Sequence, residues 1–407
     1  MLGAKLKILF FAEGATLAHV ARPFVLANSL DPGRFEICFA RPAAFAWLTA
    51  DSPFRLLPLA CQDASVFSRR LDRGLPLYGF PTLVRYVEDD LALIDAETPD
   101  LIVGDFRLSL SVSARLRHVP YATICDAYWS PEAALRPPLP VMSFTRHTPL
   151  PLAQGLFKLV SPLALRLHSI PIKRLRARFG LPSLGYDLRR CYTDADLRLF
   201  GNFPALFPDI RTSSQAAFVG PVAWSPARVA EPAQLESGSI YVTMGSSGDT
   251  RVLRNLLPAL EDTGLPILLS SAGRPLPPNL EMRRTRVFDF LPGDLVCKHA
   301  SLVVCNGGSP TTNQALANGV PVLGVVRNMD QFLNMRAVEQ FGAGVLVRAD
   351  RASGTRLHRA LEQLLHDTRF ATRARALAQT LDDVNPAQAF HTHLTQLLTR
   401  ASRERRR

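Results

Sequence analysis

The stretch Val303-Val304-Cys305-Asn306-Gly307-Gly308-Ser309-Pro310-Thr311-Thr312-Asn313-Gln314-Ala315-Leu316 passes from an apolar run through two glycines into a helical pattern. A buried parallel strand, a tight turn and a helix start produce that order. Ser309 is a good N-cap, Pro310 suits the first helical position, and Gly319 stops the helix at its far end. The free N–H groups and the positive dipole end of such a helix face whatever lies beyond the strand's carboxyl end. A diphosphate docks well there.

A second loop, Thr243-Met244-Gly245-Ser246-Ser247-Gly248-Asp249, follows the apolar run 240–244, and its small residues let the backbone come close to a ligand. Two such loops in one sheet point to a nucleotide. Neither is a Walker sequence or an intact G-x-G-x-x-G, which argues against kinases and dehydrogenases. Around them, short apolar runs at 267–270, 286–288, 302–305 and 322–326 alternate with helical patterns, and the same rhythm occupies the first half at 8–12, 35–40, 101–104 and 121–125. The fold class is α/β with two Rossmann-like halves.

With 407 residues, 47% of them hydrophobic, the chain is too long for one core and too apolar for disorder. The divisions expected are a first Rossmann-like domain over 1–220, a linker over 221–237 rich in Pro, Ala and Ser, a second Rossmann-like domain over 238–385, and a C-terminal helix with a basic tail over 386–407. The charge-free stretch 299–326 is broken by turn chemistry, so no membrane span is expected, and Glu13 ends the first apolar run too early for a signal peptide. A cytoplasmic protein, with peripheral contact at the inner membrane surface left open, is the expectation. Six scattered cysteines without a C-x-x-C pair indicate neither zinc nor a disulfide framework. The net charge of +12 rests almost wholly on arginine, a bias that suits a GC-rich genome and weakens a nucleic-acid reading.

Val287-Phe288-Asp289-Phe290-Leu291-Pro292, the run Asn306 to Thr312, Gly319-Val320-Pro321, Asp330-Gln331 and Asn334 follow one another at the spacing of a nucleotide-sugar signature. In that order they resemble the UDP-glycosyltransferase-like family of the GT-B fold, in its bacterial form. Glu13-Gly14 with His19-Val20 looks like the family's first glycine loop and catalytic histidine, and Val103-Gly104-Asp105 looks like the strand that carries its aspartate partner. The resemblance implies an inverting transfer of a hexose from a UDP or dTDP sugar to a hydroxyl of a small or lipid-like acceptor, without metal or other cofactor. It assigns His19 as base and Asp105 as its partner. The donor would be held by Gly14, Gly245, Ser246, Phe290, Leu291, Asn306, Gly307, Gly308, Ser309, Thr311, Gln314, Asp330 and Gln331.

Three residues depart from the family pattern. Asn306 replaces a histidine, Pro310 a glycine, and Gln314 the glutamate of many eukaryotic members. They keep two other readings open: a catalytically silent binding or activator protein of the same fold, and a nucleotide-sugar epimerase. Asp194-Ala195-Asp196 imitates a metal motif but directly precedes a strand, which favours a structural role. Residues 133–186 contain no acid and eight basic side chains among many leucines, which suits either lipid head groups and an anionic acceptor or a merely solvated face.

Overall fold

The computed structural model describes residues 5–134, 136–225, 235–246, 248–381 and 384–405. Ser247, most of the expected linker and the last two arginines of the tail lie outside the described residues. The first sheet is built from β1 (Leu6–Ala12), β2 (Phe35–Arg41), β3 (Arg55–Pro58), β4 (Leu101–Asp105), β5 (Tyr121–Cys125), β6 (Leu197–Phe200) and β7 (Ala216–Phe218), in the spatial order β3-β2-β1-β4-β5-β6-β7. The second contains β8 (Ser239–Thr243), β9 (Ile267–Ser270), β10 (Thr285–Phe288), β11 (Ala300–Cys305), β12 (Val322–Val326) and β13 (Gly344–Arg348), ordered β10-β9-β8-β11-β12-β13. The named strand pairs within each sheet are parallel.

Parallel strands covered by helices on both faces must be apolar throughout, and β4, β5, β8 and β12 are buried at every residue. The strand order reverses between β1 and β4 in one sheet and between β8 and β11 in the other. Connections leave in opposite directions at such a point, and the crevice they open lies at the strands' carboxyl ends. Both crevices face one cleft.

An apolar layer continues beneath that cleft from one domain to the other, joining Tyr128, Phe203 and Phe207 to Val296, Phe332 and Leu333. The last helix, Pro386–Arg405, returns to the first sheet. Its Phe390, Leu394 and Leu397 are buried with Ile8, Phe10 and Leu26, and the rings of Phe10 and Phe390 lie 6.3 Å apart. Leu394→Ala should therefore destabilise the first domain by about 2–5 kcal/mol, the cost of a large-to-small change in a packed core. A lowered midpoint for that domain in urea unfolding is the expected result.

Candidate active site

The cleft encloses about 1140 Å³ and is lined from both domains. β1 ends at Ala12, and the helix that follows, Ala18–Asn28, begins at the crevice with His19 in its first turn. Asp105 is the last residue of β4, the strand beside β1, so its carboxylate emerges next to that helix start. His19 Nδ1 lies 2.7 Å from Asp105 Oδ1. The imidazole also stacks on Phe106, with centroids 4.9 Å apart and planes 13° from parallel. Phe106 adopts a φ of +57°, a conformation that costs energy for an aromatic residue and that sets its ring under the histidine.

Asp105 is fully buried. Burial alone would raise its pKa, but the Arg22 guanidinium and His19 outweigh this and hold the carboxyl below its ordinary value of 3.8. Arg22 stands one helical turn after His19, on the same face of the helix. Its Nε donates to Asp105 Oδ2 at 2.9 Å and its Nη2 to Asp105 Oδ1 at 3.0 Å, while Nη1 donates to Asp126 Oδ2 at 2.9 Å. Asp126 follows β5 and takes a further hydrogen bond from Asn202 Nδ2 at 3.2 Å. With Nδ1 donating to Asp105, the imidazole keeps Nε2 as a free acceptor.

On the other wall, Gly245 turns the chain after β8 with a φ of +60°. The loop after β11 leads into the helix Ser309–Ala317. Asn306 Oδ1 accepts the Gly308 N–H at 3.0 Å, so this side chain braces its own loop and leaves its amide as a donor. In the first turn of the helix Pro310 has no N–H, which leaves those of Ser309 and Thr311, residues that line the cleft, without a partner inside the helix. Asp330 bridges the domains by accepting the Trp129 indole N–H at 2.9 Å. Burial first, and the Asp126 charge second, push its pKa up.

One segment of the first domain, residues 136–149, is held by the second. The Val141 N–H donates to the Arg327 carbonyl at 2.7 Å, and Arg348 donates to the carbonyls of Leu139 and Pro140 at 2.6 and 3.4 Å. Arg351 donates to the carbonyls of Thr145 and Thr148, both at 2.8 Å, and the Thr145 hydroxyl donates to Asp350 at 2.6 Å. Leu139, Val141, Met142 and Phe144 of this strap line the apolar end of the cleft.

Residues 269–394 match the Erythromycin biosynthesis protein CIII-like, C-terminal domain. A PGL/p-HBAD biosynthesis glycosyltransferase of Mycobacterium tuberculosis (strain ATCC 25177 / H37Ra) is 42% identical over 378 residues, which span 92% of this chain and 88% of that protein. A PGL/p-HBAD biosynthesis rhamnosyltransferase of Mycobacterium bovis (strain BCG / Pasteur 1173P2) is 42% identical over 378 residues, spanning 91% of this chain and 83% of its own. The chain belongs to the bacterial nucleotide-sugar glycosyltransferases of the GT-B type. In fold, this glycosyltransferase is similar to the solved glycotransferase of kitacinnamycin, with a TM-score of 0.72 at 17% identity over 96% of this chain and 99% of that one.

The structure brings most of the site residues named from the sequence to the cleft: His19, Asp105, Gly245, Ser246, Phe290, Leu291, Asn306, Gly308, Ser309, Thr311, Gln314, Asp330 and Gln331 all line it. Gly14 and Gly307 do not. A Cβ on Gly14 would come within 2.8 Å of Pro42, so this glycine serves close packing against the neighbouring loop. Gly307, with a φ of +81°, would place a Cβ 2.6 Å from Val326 and 2.7 Å from Met335. It shapes the turn from behind. The helix N-cap is Gly308 rather than Ser309, because Ser309 already takes helical geometry. Gln331 is buried, and its Oε1 accepts the Arg327 and Asn328 N–H groups at 2.8 and 3.3 Å as half of a capping box. Gln314 Nε2 donates to Ser225 at 3.3 Å.

Asp194 and Asp196 face arginines. Arg115 reaches both, at 3.1 and 3.4 Å, and Arg176 reaches Asp194 at 2.9 Å. The sequence did not single out Arg22, Asp126 or Trp129; the i, i+3 spacing from His19 was the signal that would have found Arg22.

Arg22→Ala should be a severely damaging change in the glycosyltransferase, since it strands two buried carboxylates. A stability loss of about 3–5 kcal/mol is expected in chemical denaturation, together with loss of transfer. The Asp105 carboxyl is depressed, so its stabilising share is complete above the ordinary value of 3.8 and is lost only as pH falls through its lower folded value. The stability gap between wild type and Asp105→Asn should accordingly stay level from about pH 7 to about pH 5 and narrow in stronger acid.

Proposed function

We propose that the enzyme transfers a hexose or deoxyhexose from a UDP or dTDP sugar to a hydroxyl of an apolar, lipid-like acceptor, with inversion and without a metal, in the cytoplasm beside the inner membrane surface. The observation that carries this reading is the 2.7 Å contact between His19 and Asp105 inside a cleft whose opposite wall presents Gly245 and the helix start at Ser309. The acceptor oxygen bonds to the anomeric carbon as that carbon's bond to the β-phosphate oxygen breaks. Its proton passes to His19 Nε2, and the buried Asp105 carboxylate stabilises the imidazolium that forms. The leaving diphosphate departs with the electron pair toward the helix dipole and the N–H groups of Ser309 and Thr311.

The acceptor end of the cleft is walled by Phe67, Phe106, Met142, Phe157 and Tyr192, which supports an apolar acceptor. The rhamnosyltransferase relative supports a deoxyhexose among the donors. Among the described residues no helix is long and apolar enough to cross a membrane, and no group of three or more His, Cys, Asp or Glu is placed to hold a metal ion.

His19→Ala should lower turnover by about 10²–10⁴-fold while nucleotide affinity in calorimetry stays nearly unchanged, since the base belongs to the other wall from the diphosphate. Turnover close to wild type would overturn the assignment. A thermal-shift series with UDP, dTDP and GDP sugars identifies the donor, because the nucleotide that binds the folded state raises its stability by mass action.

A further inference from the structure

The helix Leu150–Arg178 presents an apolar stripe to solvent. Leu152, Leu156, Leu159, Val160, Leu163 and Leu167 are 46–79% exposed and recur at intervals of three and four residues, so they share one face. They are six of the thirteen large hydrophobic side chains exposed among the described residues, gathered within the sixteen residues 152–167. Such a cluster is a contact surface, whereas single exposed leucines are ordinary.

Charge and continuity identify what meets it. No acidic residue occurs between 133 and 186, while Arg166 and Arg174 are exposed, Arg174 seven residues after Leu167 on the stripe itself and Arg166 three residues after Leu163 at its edge. A second copy of this chain would set that positive charge against itself; an anionic surface complements it. Leu156 and Val160 both stand on the stripe and line the cleft. The apolar face is therefore the rim of the acceptor cavity.

We infer that this face docks on an anionic lipid bilayer, with the leucines entering the acyl boundary and the basic side chains meeting the head groups, so that a lipid-tailed acceptor reaches His19 without crossing water. The inference rests on the reading of a lipid-like acceptor and adds the surface that delivers it.

The test is cosedimentation of the full chain with vesicles of phosphatidylcholine containing increasing phosphatidylglycerol. Binding should grow with the anionic fraction and weaken as salt is raised. Leu159 and Leu163 lie outside the cleft lining, so Leu159→Glu with Leu163→Glu should weaken vesicle binding at least about tenfold while transfer to a water-soluble acceptor is retained. Arg166→Glu with Arg174→Glu should remove the dependence on anionic lipid. The inference falls if no vesicles are bound at low salt, if the double leucine variant binds as wild type does, or if it instead disperses a concentration-dependent dimer seen in sedimentation velocity. Loss of transfer to the soluble acceptor in the wild type, with vesicle binding intact, would instead count against the transferase reading of the cleft.

Discussion

A buried guanidinium organises the catalytic wall. Asp105 and Asp126 leave the carboxyl ends of neighbouring strands, and two carboxylates so placed repel each other in a medium that screens them poorly. Arg22 lies between them and donates to both, which fixes the position of each. A fixed and ionised Asp105 then fixes the tautomer and tilt of His19. The order of dependence runs from the strand order, through Arg22, to the orientation of the His19 ring in the cleft.

The opposite wall is set by shape more than by charge. Gly307 turns where Val326 and Met335 leave no room for a side chain, and Asn306 ties the turn to itself through Gly308. Asn334, fully buried, holds the same turn through the Gly307 carbonyl at 2.9 Å and the Thr312 hydroxyl at 2.7 Å. Both walls thus stand on strand ends and first helical turns, the stiffest parts of an α/β fold, so their geometry is present before any ligand arrives.

The two sheets were legible because buried parallel strands leave unbroken apolar runs. β3 and β7 escaped notice, being strands of four and three residues whose composition does not stand out from the loops around them, and β13 was passed over although its Val-Leu-Val run is as apolar as the strands that were read. The path of the last helix back to the first domain was also hidden: its apolar spacing shows a buried face without showing which sheet buries it. His19, Asp105 and the glycine loops could be brought to one cleft from the sequence since residue type and order carry the signal. Gly14 and Gly307 were assigned to the ligand although they pack behind the cleft, for a sequence marks a glycine without the direction it faces. Arg22 and Asp126 were passed over because their roles exist only once distant strands lie side by side.

The strap between the domains bears on how such an enzyme acquires new acceptors. Arg348 and Arg351 grip main-chain carbonyls, which every amino acid offers alike. The path of residues 136–149 is secured independently of the side chains at Met142 and Phe144, whereas Leu139 and Val141 are themselves buried. Met142 and Phe144 are free to diversify through point substitutions without loosening the segment. Recombination is a different matter, since a chimera that joins this first domain to a donor domain lacking the two arginines inherits the wall residues but not the anchorage that shapes them.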